Sequence, residues 1–338
     1  KMQSIFPPKE IQLKTKVKYE PFNPGSRKQI AERLSELGWK PHAYTEKGQA
    51  IVDEAVLSSI TDIPEAQLIA EYLMVQKRVA QIKSWIDAAD EEGRVHGRVN
   101  TNGAVTGRMT HSEPNLAQVP ASRAPYGKEC RSCWTVPEGK SLVGFDASGL
   151  ELRMLAHYMG DKEYTNEILH GDIHTANQKL AGLESRDQAK TFIYAFLYGA
   201  GDAKLGTIVG GNARAGKTLR GRFLTGLPAL KSLTERVARK AEGGYLKGLD
   251  GRVLQVRSAH SALNTLLQGA GAIVMKKALV ILDEYAQGYK LDYNFVGNIH
   301  DEVQAEVTKG QEDKYGRLAV SCIEAAGLHY NLRCPLTG

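Results

Sequence analysis

The sequence has few cysteines and no long apolar run. Four cysteines in 338 residues are too few for a disulfide framework, so we expect a reducing compartment. Cys130-x-x-Cys133 has no second cysteine pair at zinc-binding spacing, which disfavours a metal or redox role. The first residues contain no apolar signal core. No 18 consecutive apolar residues occur, so we expect no membrane-spanning segment and no membrane partner.

The bulk composition is that of an ordinary globular protein. Hydrophobic residues make up 42% and charged residues 24% of the chain, and the length suits two or three subdomains. Lysine and arginine number 44 against 38 acidic residues, which gives a net charge of +6. This excess suits a polyanionic partner without identifying one.

The stretch from Arg186 to Gly199 predicts a helix of about three turns that the glycine ends. Arg186, Lys190, Tyr194 and Tyr198 recur every fourth residue, so they lie along one slowly drifting stripe. The stripe offers two cations and then two phenol rings over ~18 Å. A nucleoside triphosphate presents phosphates, sugar and base over a similar length. A surface helix with two half-buried tyrosines is the alternative that this stretch alone leaves open.

Acidic residues are predicted at the ends of buried strands. The apolar run 141–145 predicts a strand that ends at Asp146, and two further strands flank Asp301-Glu302. Aspartate-glutamate is a poor sequence for a tight hairpin turn. Carboxylates grouped in this way suit Mg²⁺, which takes oxygen ligands and bridges substrate phosphates. Two solvated turns are the alternative interpretation of each acidic group by itself.

The pattern of elements predicts an α+β fold. Strands that bear acids come from both halves of the chain and enclose a helical block, which favours an antiparallel sheet with an inserted helical subdomain. Asn-Gly at residues 102–103 suggests a hairpin within 94–108, and residues 108–120 are expected to form a loop. An extended arm is predicted for residues 1–25, and a helix capped by Ser26 after it. A helix over about 64–89 is predicted, and its apolar face comprises Leu68, Ile69, Tyr72, Leu73, Val75, Val79 and Ile82.

Three local motifs have plain structural explanations. Gly211–Thr218 fits the P-loop pattern, but no good strand precedes it, and a basic loop leading into a helix is expected instead. Ser148-x-x-Glu151 has the spacing of a helix capping box. His170 and His174 are four residues apart without an obvious third metal ligand, although His174 could contact phosphate.

Three longer motifs resemble those of a known family. They are Asp146-Ala-Ser-Gly-Leu-Glu151-Leu-Arg153, Arg186-x-x-x-Lys190-x-x-x-Tyr194-x-x-x-Tyr198-Gly199 and His300-Asp301-Glu302. In order and spacing they look like motifs A, B and C of family A DNA polymerases. The residues within these motifs are similar to those of the replicative polymerases of short-tailed bacteriophages. The resemblance runs from about Phe22 to Leu332, and it is specific because the motifs occur together.

The resemblance implies a right-hand polymerase fold of palm, fingers and thumb. The α+β class would then comprise an antiparallel palm sheet with inserted helical fingers. The implied divisions are an N-terminal arm with the palm and thumb edge (1–63), a partial thumb helix (64–92), palm with motif A (93–159), fingers with motif B (160–260) and palm with motif C (261–338).

The resemblance also implies a catalytic group. Asp146 and Asp301 would bind two Mg²⁺ ions with help from the Ala147 carbonyl, and Glu302 would be a nearby third acid. Lys190 would protonate the leaving pyrophosphate. The reaction implied is addition of deoxynucleotides to a primer 3′-hydroxyl.

Further residues would bind the incoming nucleotide. The implied triphosphate ligands are Arg186, Lys190 and His174. Tyr194 would lie against the sugar, and Glu151 would bond Tyr194 and block a ribose 2′-hydroxyl. Tyr198 would stack at the templating position while the fingers are open.

Primer–template DNA and deoxynucleoside triphosphates are the implied partners. The DNA-binding positions are Arg108, Gln118, Asn264, Gln268 and His300. All but Asn264 would read the minor-groove acceptors that correct base pairs share, which gives fidelity without sequence preference.

The sequence departs from the resembling phage polymerases at its start. Those proteins carry an upstream 3′–5′ exonuclease, and no such segment precedes Lys1, so we expect no proofreading by this chain. The first part of the thumb is also missing, and weak processivity is expected. A separate exonuclease or processivity factor is a possible partner, and the cytoplasm of an infected bacterium is the expected location.

Three other functions remain open from the sequence. A single-subunit RNA polymerase shares the palm layout, although Glu151 argues against it because its bulk would exclude ribose. A non-catalytic DNA-binding remnant would keep the motifs as scaffold, which the intact acids disfavour. A two-metal nuclease would degrade primer without needing triphosphates.

Overall fold

The computed structural model describes residues 21–338, and the chain divides into two compact units at residues 87 and 88. The arm predicted for residues 1–25 lies mostly outside the described residues. All four cysteines lie within them, and none forms a disulfide.

The first unit is helical. Its helices are α1 (Arg27–Glu36), α2 (Glu54–Ser59) and α3 (Pro64–Ala88). Ser26 caps α1 by accepting a hydrogen bond from the Gln29 amide, which confirms the predicted start.

The predicted apolar face of α3 is only partly buried, because Ile69 and Leu73 pack against the core of this unit and other members of the face do not. Leu68 and Val79 are 67% and 59% exposed, whereas Ala66 and Ala70 are buried. The helix is apolar on more than one side. The side that packs against the core carries Ala66 and Ala70, whose small side chains allow close packing. Helical periodicity alone could not choose between the two sides.

The second unit contains the sheet and the helical block. Its helices are α4 (Gly127–Ser132), α5 (Leu150–Met159), α6 (Lys162–His170), α7 (Ile173–Ala181), α8 (Arg186–Leu197), α9 (Asp202–Ile208), α10 (Ala213–Gly226), α11 (Pro228–Ala241), α12 (Ala262–Gly288) and α13 (Glu312–His329). Its strands are β1 (Arg98–Asn100), β2 (Thr110–Ser112), β3 (Lys140–Asp146), β4 (Tyr245–Lys247), β5 (Val253–Gln255), β6 (Tyr293–Ile299) and β7 (Glu302–Thr308). The α+β class is confirmed.

The antiparallel sheet joins strands from distant parts of the chain. Its order is β3-β7-β6, so β7 is the central strand, and its Val303, Ala305 and Val307 are fully buried. Helices α5 to α11 are inserted between β3 and β6 in the sequence, as predicted. The sheet therefore brings the two acidic motifs to one edge.

Helix α12 is part of the core of this unit. By length and hydropathy, the segment Ala259–Gly288 is the one stretch in the described residues that could cross a membrane, with a mean hydropathy of 1.5. However, 67% of that window is buried inside the protein. Core helices have this same composition.

Several elements in the helical block differ from the predictions. A short helix, α9, follows Gly201 although the sequence analysis predicted none there, and the expected loop at 108–120 contains β2. The P-loop-like Gly211–Thr218 lies mostly within α10. A Cβ on Gly216 would come within 1.9 Å of the Asp202 carbonyl oxygen in α9, so this glycine serves helix packing, not a phosphate loop.

Candidate active site

The acidic residues meet at one edge of the sheet. The β3–β7 register places Asp146 opposite Glu302. The Ala147 amide donates to the Asp301 carbonyl at 3.1 Å, which ties the end of β3 to the β6–β7 turn. That turn is His300-Asp301, one residue earlier than predicted, and His300 adopts φ +67°. A left-handed backbone is uncommon for a residue other than glycine.

The carboxylate of Asp301 lies in a negative, partly dry environment. Burial raises its pKa, and the nearby charges of Glu151 and Asp146 raise it further. Both causes disfavour the ionised form, because the charge is desolvated and repelled. A bound cation would relieve this repulsion.

The residues at this edge fit a divalent cation that is shared with a substrate. No group of three or more His, Cys, Asp or Glu side chains that could hold a metal ion occurs within residues 21–338. Asp146 and Asp301 could supply two carboxylates and Ala147 a carbonyl. Mg²⁺ usually takes few protein ligands and completes its shell with water and phosphate oxygens.

Helix α8 has the two faces that its sequence predicts. Phe192 and Ile193 are fully buried, and the Tyr194 and Tyr198 rings stack with centroids 6.4 Å apart. The helix starts at Ser185, whose hydroxyl accepts from the Gln188 amide at 3.2 Å. The exposed stripe is therefore held on a well-packed support.

Glu151 connects residues that the sequence assigns to different tasks. Its carboxylate accepts from Arg108 Nη2 at 2.9 Å and from the Tyr198 hydroxyl at 3.3 Å. The resemblance pairs it with Tyr194 instead, and that pairing is not the one present in this conformation. Burial and the charges of Glu151 and Asp301 raise the pKa of Tyr194, so its ring lies close to both acids.

The capping-box interpretation of Glu151 is wrong. Helix α5 begins one residue later than that motif requires, with Gly149 at the N-cap in a left-handed conformation (φ +60°) and no side-chain cap. The Ser148 amide donates to the Thr337 carbonyl at 2.9 Å. Glu151 is thereby free to face Arg108.

An acid at the start of α7, which the sequence analysis did not identify, contacts the cationic end of α8. Arg186 Nε donates to Asp172 Oδ2 at 2.6 Å. His174 lies near both cations of the stripe. Burial and the positive charges of Arg186 and Lys190 lower the pKa of its imidazole. Asp172 stands two residues before His174, and its position as a helix N-cap is the sequence signal that could have identified it.

The predicted DNA-binding residues come from several elements. Asn264 and Gln268 are one turn apart near the start of α12, and both are half-buried. Gln118 is exposed at the end of a short 3₁₀ turn. Burial, Arg108 and His111 lower the pKa of His300, so His300 and Arg108 share one neighbourhood.

Comparisons with known proteins show the family to which the chain belongs. Residues 8–337 match the model of the family described as DNA polymerase family A. The chain is 44% identical to a DNA-directed DNA polymerase of Enterobacteria phage T3 and 43% identical to that of Escherichia phage T7, in each case over 95% of this chain and 52% of the relative. It is 30% identical to the thermostable DNA polymerase I of Thermus aquaticus, over 94% of this chain and 40% of that protein. The chain thus spans about half the length of its phage relatives.

A solved structure has the same fold. It is described as the POL domain of Pol1 from M. smegmatis in complex with DNA primer-template and dNTP. The TM-score is 0.85 at 24% identity, over 93% of this chain and 59% of that one. The match confirms the polymerase-domain fold that the motifs predict.

Proposed function

The chain belongs to DNA polymerase family A, and from that membership we propose that it catalyses DNA-templated DNA synthesis. It adds deoxynucleotides to a primer 3′-hydroxyl and releases pyrophosphate. The observation that carries the proposal is that Asp301 lies near both Asp146 and Glu151, and that Asp301 and Glu151 lie near Tyr194 of α8. Phage DNA replication in the cytoplasm of an infected bacterium is the corresponding setting.

The metal ligands in this proposal are Asp146, Asp301 and the Ala147 carbonyl, with Glu302 beside them. Two Mg²⁺ ions held there would lower the pKa of the primer hydroxyl and neutralise charge on the triphosphate. Glu302 lies opposite Asp146 in the β3–β7 register, and its carboxylate accepts a hydrogen bond from Gln304 Nε2 at 2.6 Å. We therefore assign Glu302 a supporting role.

The triphosphate lies along the cationic end of α8. In this proposal Arg186 and Lys190 supply positive charge there, and Lys190 donates a proton to the leaving pyrophosphate. His174 is a further phosphate ligand in this proposal, and without nucleotide, burial and the charges of Arg186 and Lys190 lower the pKa of its imidazole. Its ring centroid is 6.2 Å from that of Tyr194, so phosphate and sugar contacts adjoin.

The residues proposed to select the sugar and the base lie at the tyrosine end of the α8 stripe. Tyr194 lies against the sugar, and Glu151 excludes a 2′-hydroxyl. The Tyr198 hydroxyl donates to Glu151 at 3.3 Å, and we propose that its ring covers the templating position in this conformation. Entry of the template base then requires the tyrosine to leave.

Primer–template DNA is bound on the minor-groove side. Its proposed contacts are Arg108, Gln118, Asn264, Gln268 and His300. We assign residues 93–159 and 261–338 to the palm, 160–260 to the fingers, 64–92 to a partial thumb helix and 1–63 to the arm and the edge of palm and thumb. An exonuclease and a processivity factor remain candidate partners.

Template-directed incorporation of single nucleotides tests this function. Four primed templates that differ only in the templating base are each offered one deoxynucleotide with Mg²⁺. We expect extension with the complementary nucleotide alone. Preferred use of ribonucleotides would indicate an RNA polymerase, and loss of primer without triphosphate would indicate a nuclease. DNA binding without any extension would point to a remnant and overturn the proposal.

A further inference from the structure

Asp172 is an acid within the cationic cluster at the start of α8. It accepts from Arg186 Nε at 2.6 Å and from the Thr175 hydroxyl at 2.9 Å. It also caps α7 by accepting from the His174 amide at 3.1 Å. One carboxylate therefore fixes the backbone that carries His174 and the side chain of Arg186, although a negative charge by itself would repel a triphosphate.

The direction of the Arg186 bond resolves this conflict. Asp172 binds the guanidinium through Nε, and within the described part of the chain the two terminal nitrogens have no protein partner. A guanidinium is planar, so fixing Nε also fixes the edge that carries the terminal nitrogens. That edge is the one that binds two phosphate oxygens at once.

We propose that Asp172 is a positioning residue, which holds Arg186 by Nε so that the terminal nitrogens face the triphosphate. This inference rests on the proposed polymerase function, because it assumes that Arg186 binds the nucleotide. The pair is half exposed, with 51% and 42% of its two side chains accessible. Its effect is accordingly one of orientation and modest in size.

A double-mutant cycle separates positioning from repulsion. Repulsion between Asp172 and the triphosphate is present whether or not Arg186 is, so it cancels in the cycle, whereas positioning requires both residues. Asp172→Asn is the appropriate variant because asparagine is also a good N-cap. It keeps an oxygen for the His174 amide while removing the charge that holds Arg186.

The measurement is the dissociation constant of a complementary deoxynucleotide for the protein on a dideoxy-terminated primer–template, where no bond can form. It is made for the parent, Asp172→Asn, Arg186→Ala and the double variant. We expect Arg186→Ala to weaken binding about two- to fivefold more in the parent than in the Asp172→Asn background. Unfolding temperatures of all four proteins exclude misfolding as the cause.

Asp161→Asn is the matched control. Asp161 caps α6 in the same way, by accepting from the Tyr164 amide at 2.9 Å, and forms no ion pair within residues 21–338. Its replacement should leave the effect of Arg186→Ala unchanged. An equal loss on Arg186→Ala in the parent and Asp172→Asn backgrounds would overturn the inference, and a greater loss in the Asp172→Asn background would show that the carboxylate competes with substrate. A parent that binds no nucleotide would overturn the proposed function together with the inference.

Discussion

Glu151 holds two neighbours that have different proposed roles. Its hydrogen bonds to Arg108 and Tyr198 join the sugar gate to a minor-groove reader and to the residue at the templating position. If Glu151 and Tyr198 have the roles proposed above, binding of the nucleotide and of its template base requires this group to rearrange. The proposed roles therefore predict that sugar selection and template entry are coupled through one carboxylate.

Replacing Glu151 with alanine should relax sugar selection. Without the carboxylate, a 2′-hydroxyl has room, and we expect the preference for deoxynucleotides over ribonucleotides to fall by about tenfold or more. Steady-state kcat/KM for the two nucleotides on one template measures this ratio. Tyr198→Phe is the control, because it removes the hydroxyl that bonds Glu151 and leaves the gate in place; its ratio should match the parent's. Unchanged ribonucleotide rejection by Glu151→Ala would refute the gate assignment.

The ionised carboxylate of Asp301 should destabilise the folded protein in the absence of a metal ion. Its folded-state pKa is raised, so between the unfolded and folded pKa values the native state binds more protons than the unfolded state, and stability falls as pH rises through that window. With a chelator at pH 7, Asp301→Asn should therefore unfold at a higher temperature than the parent. The difference should vanish below the unfolded pKa of about 3.9, where both states are protonated.

Mg²⁺ provides the second half of that experiment. The ion should raise the unfolding temperature of the parent, because it binds the native carboxylates, and should do so much less for Asp301→Asn. Equal stabilisation of both proteins would argue against Asp301 as a ligand. A lower unfolding temperature for Asp301→Asn in chelator would contradict the electrostatic account.

The residue types at the site could be predicted from the sequence, but their pairings could not. Asp146, Asp301 and the α8 stripe follow from strand ends and a period of four. The partner of Glu151 depends on where α5 begins, and that is decided by Gly149 and by the bond from Ser148 to Thr337, which is far away in the sequence. Asp172 was missed because its partner, Arg186, belongs to the next helix.

At the scale of elements, the periodic helix α8 was predicted from the sequence, whereas α9 and the first turn of α10 were not. Helix α8 carries an apolar repeat, and its predicted bounds are close to the observed Arg186–Leu197. Helices α9 and α10 contain glycines that resemble joints in a sequence. In the structure Gly206 and Gly216 lie where the two helices touch backbone to backbone, a use of glycine that requires the tertiary contact to be recognised.

Two glycines of α10 should respond oppositely to alanine. A Cβ at Gly216 meets the Asp202 carbonyl oxygen at 1.9 Å, whereas at Gly221 it meets nothing within 4 Å. We expect Gly216→Ala to destabilise the protein by roughly 1–3 kcal/mol and Gly221→Ala to stabilise it by about 0.5–1 kcal/mol through helix propensity. Denaturant unfolding measures both. Equal effects of the two substitutions would contradict the packing of α9 on α10.

At the scale of the whole molecule, the order of the strands brings together two acidic motifs that are distant in the sequence. The net positive charge of the chain suits binding to DNA. The order β3-β7-β6 follows from the acidic strand ends only if those strands are assumed to pair, so the sequence suggested it without establishing it. The choice of the buried side of α3 lay beyond prediction, because both sides are apolar. The net charge of +6 could be read directly.

Binding to primer–template should be strongly salt-dependent and indifferent to sequence. Phosphate contacts release counterions, so the logarithm of the affinity should fall linearly with the logarithm of salt concentration, with a slope of about −0.9 per phosphate neutralised. Minor-groove acceptors are shared by all base pairs, so templates of different sequence should give the same line. Fluorescence anisotropy over a salt series measures this. A flat salt response or a strong sequence preference would count against polymerase-type binding.

The central claim is that the acidic edge of the sheet catalyses primer extension. The most direct measurement is extension of a labelled primer on a DNA template with Mg²⁺ and all four deoxynucleotides, by the parent, Asp301→Asn and Asp313→Asn. Asp313 is a highly exposed acid on α13 and controls for the loss of a charge. We expect extension by the parent and by Asp313→Asn, with none detectable for Asp301→Asn while it still binds the DNA. Extension by Asp301→Asn at the parent's rate would contradict the account.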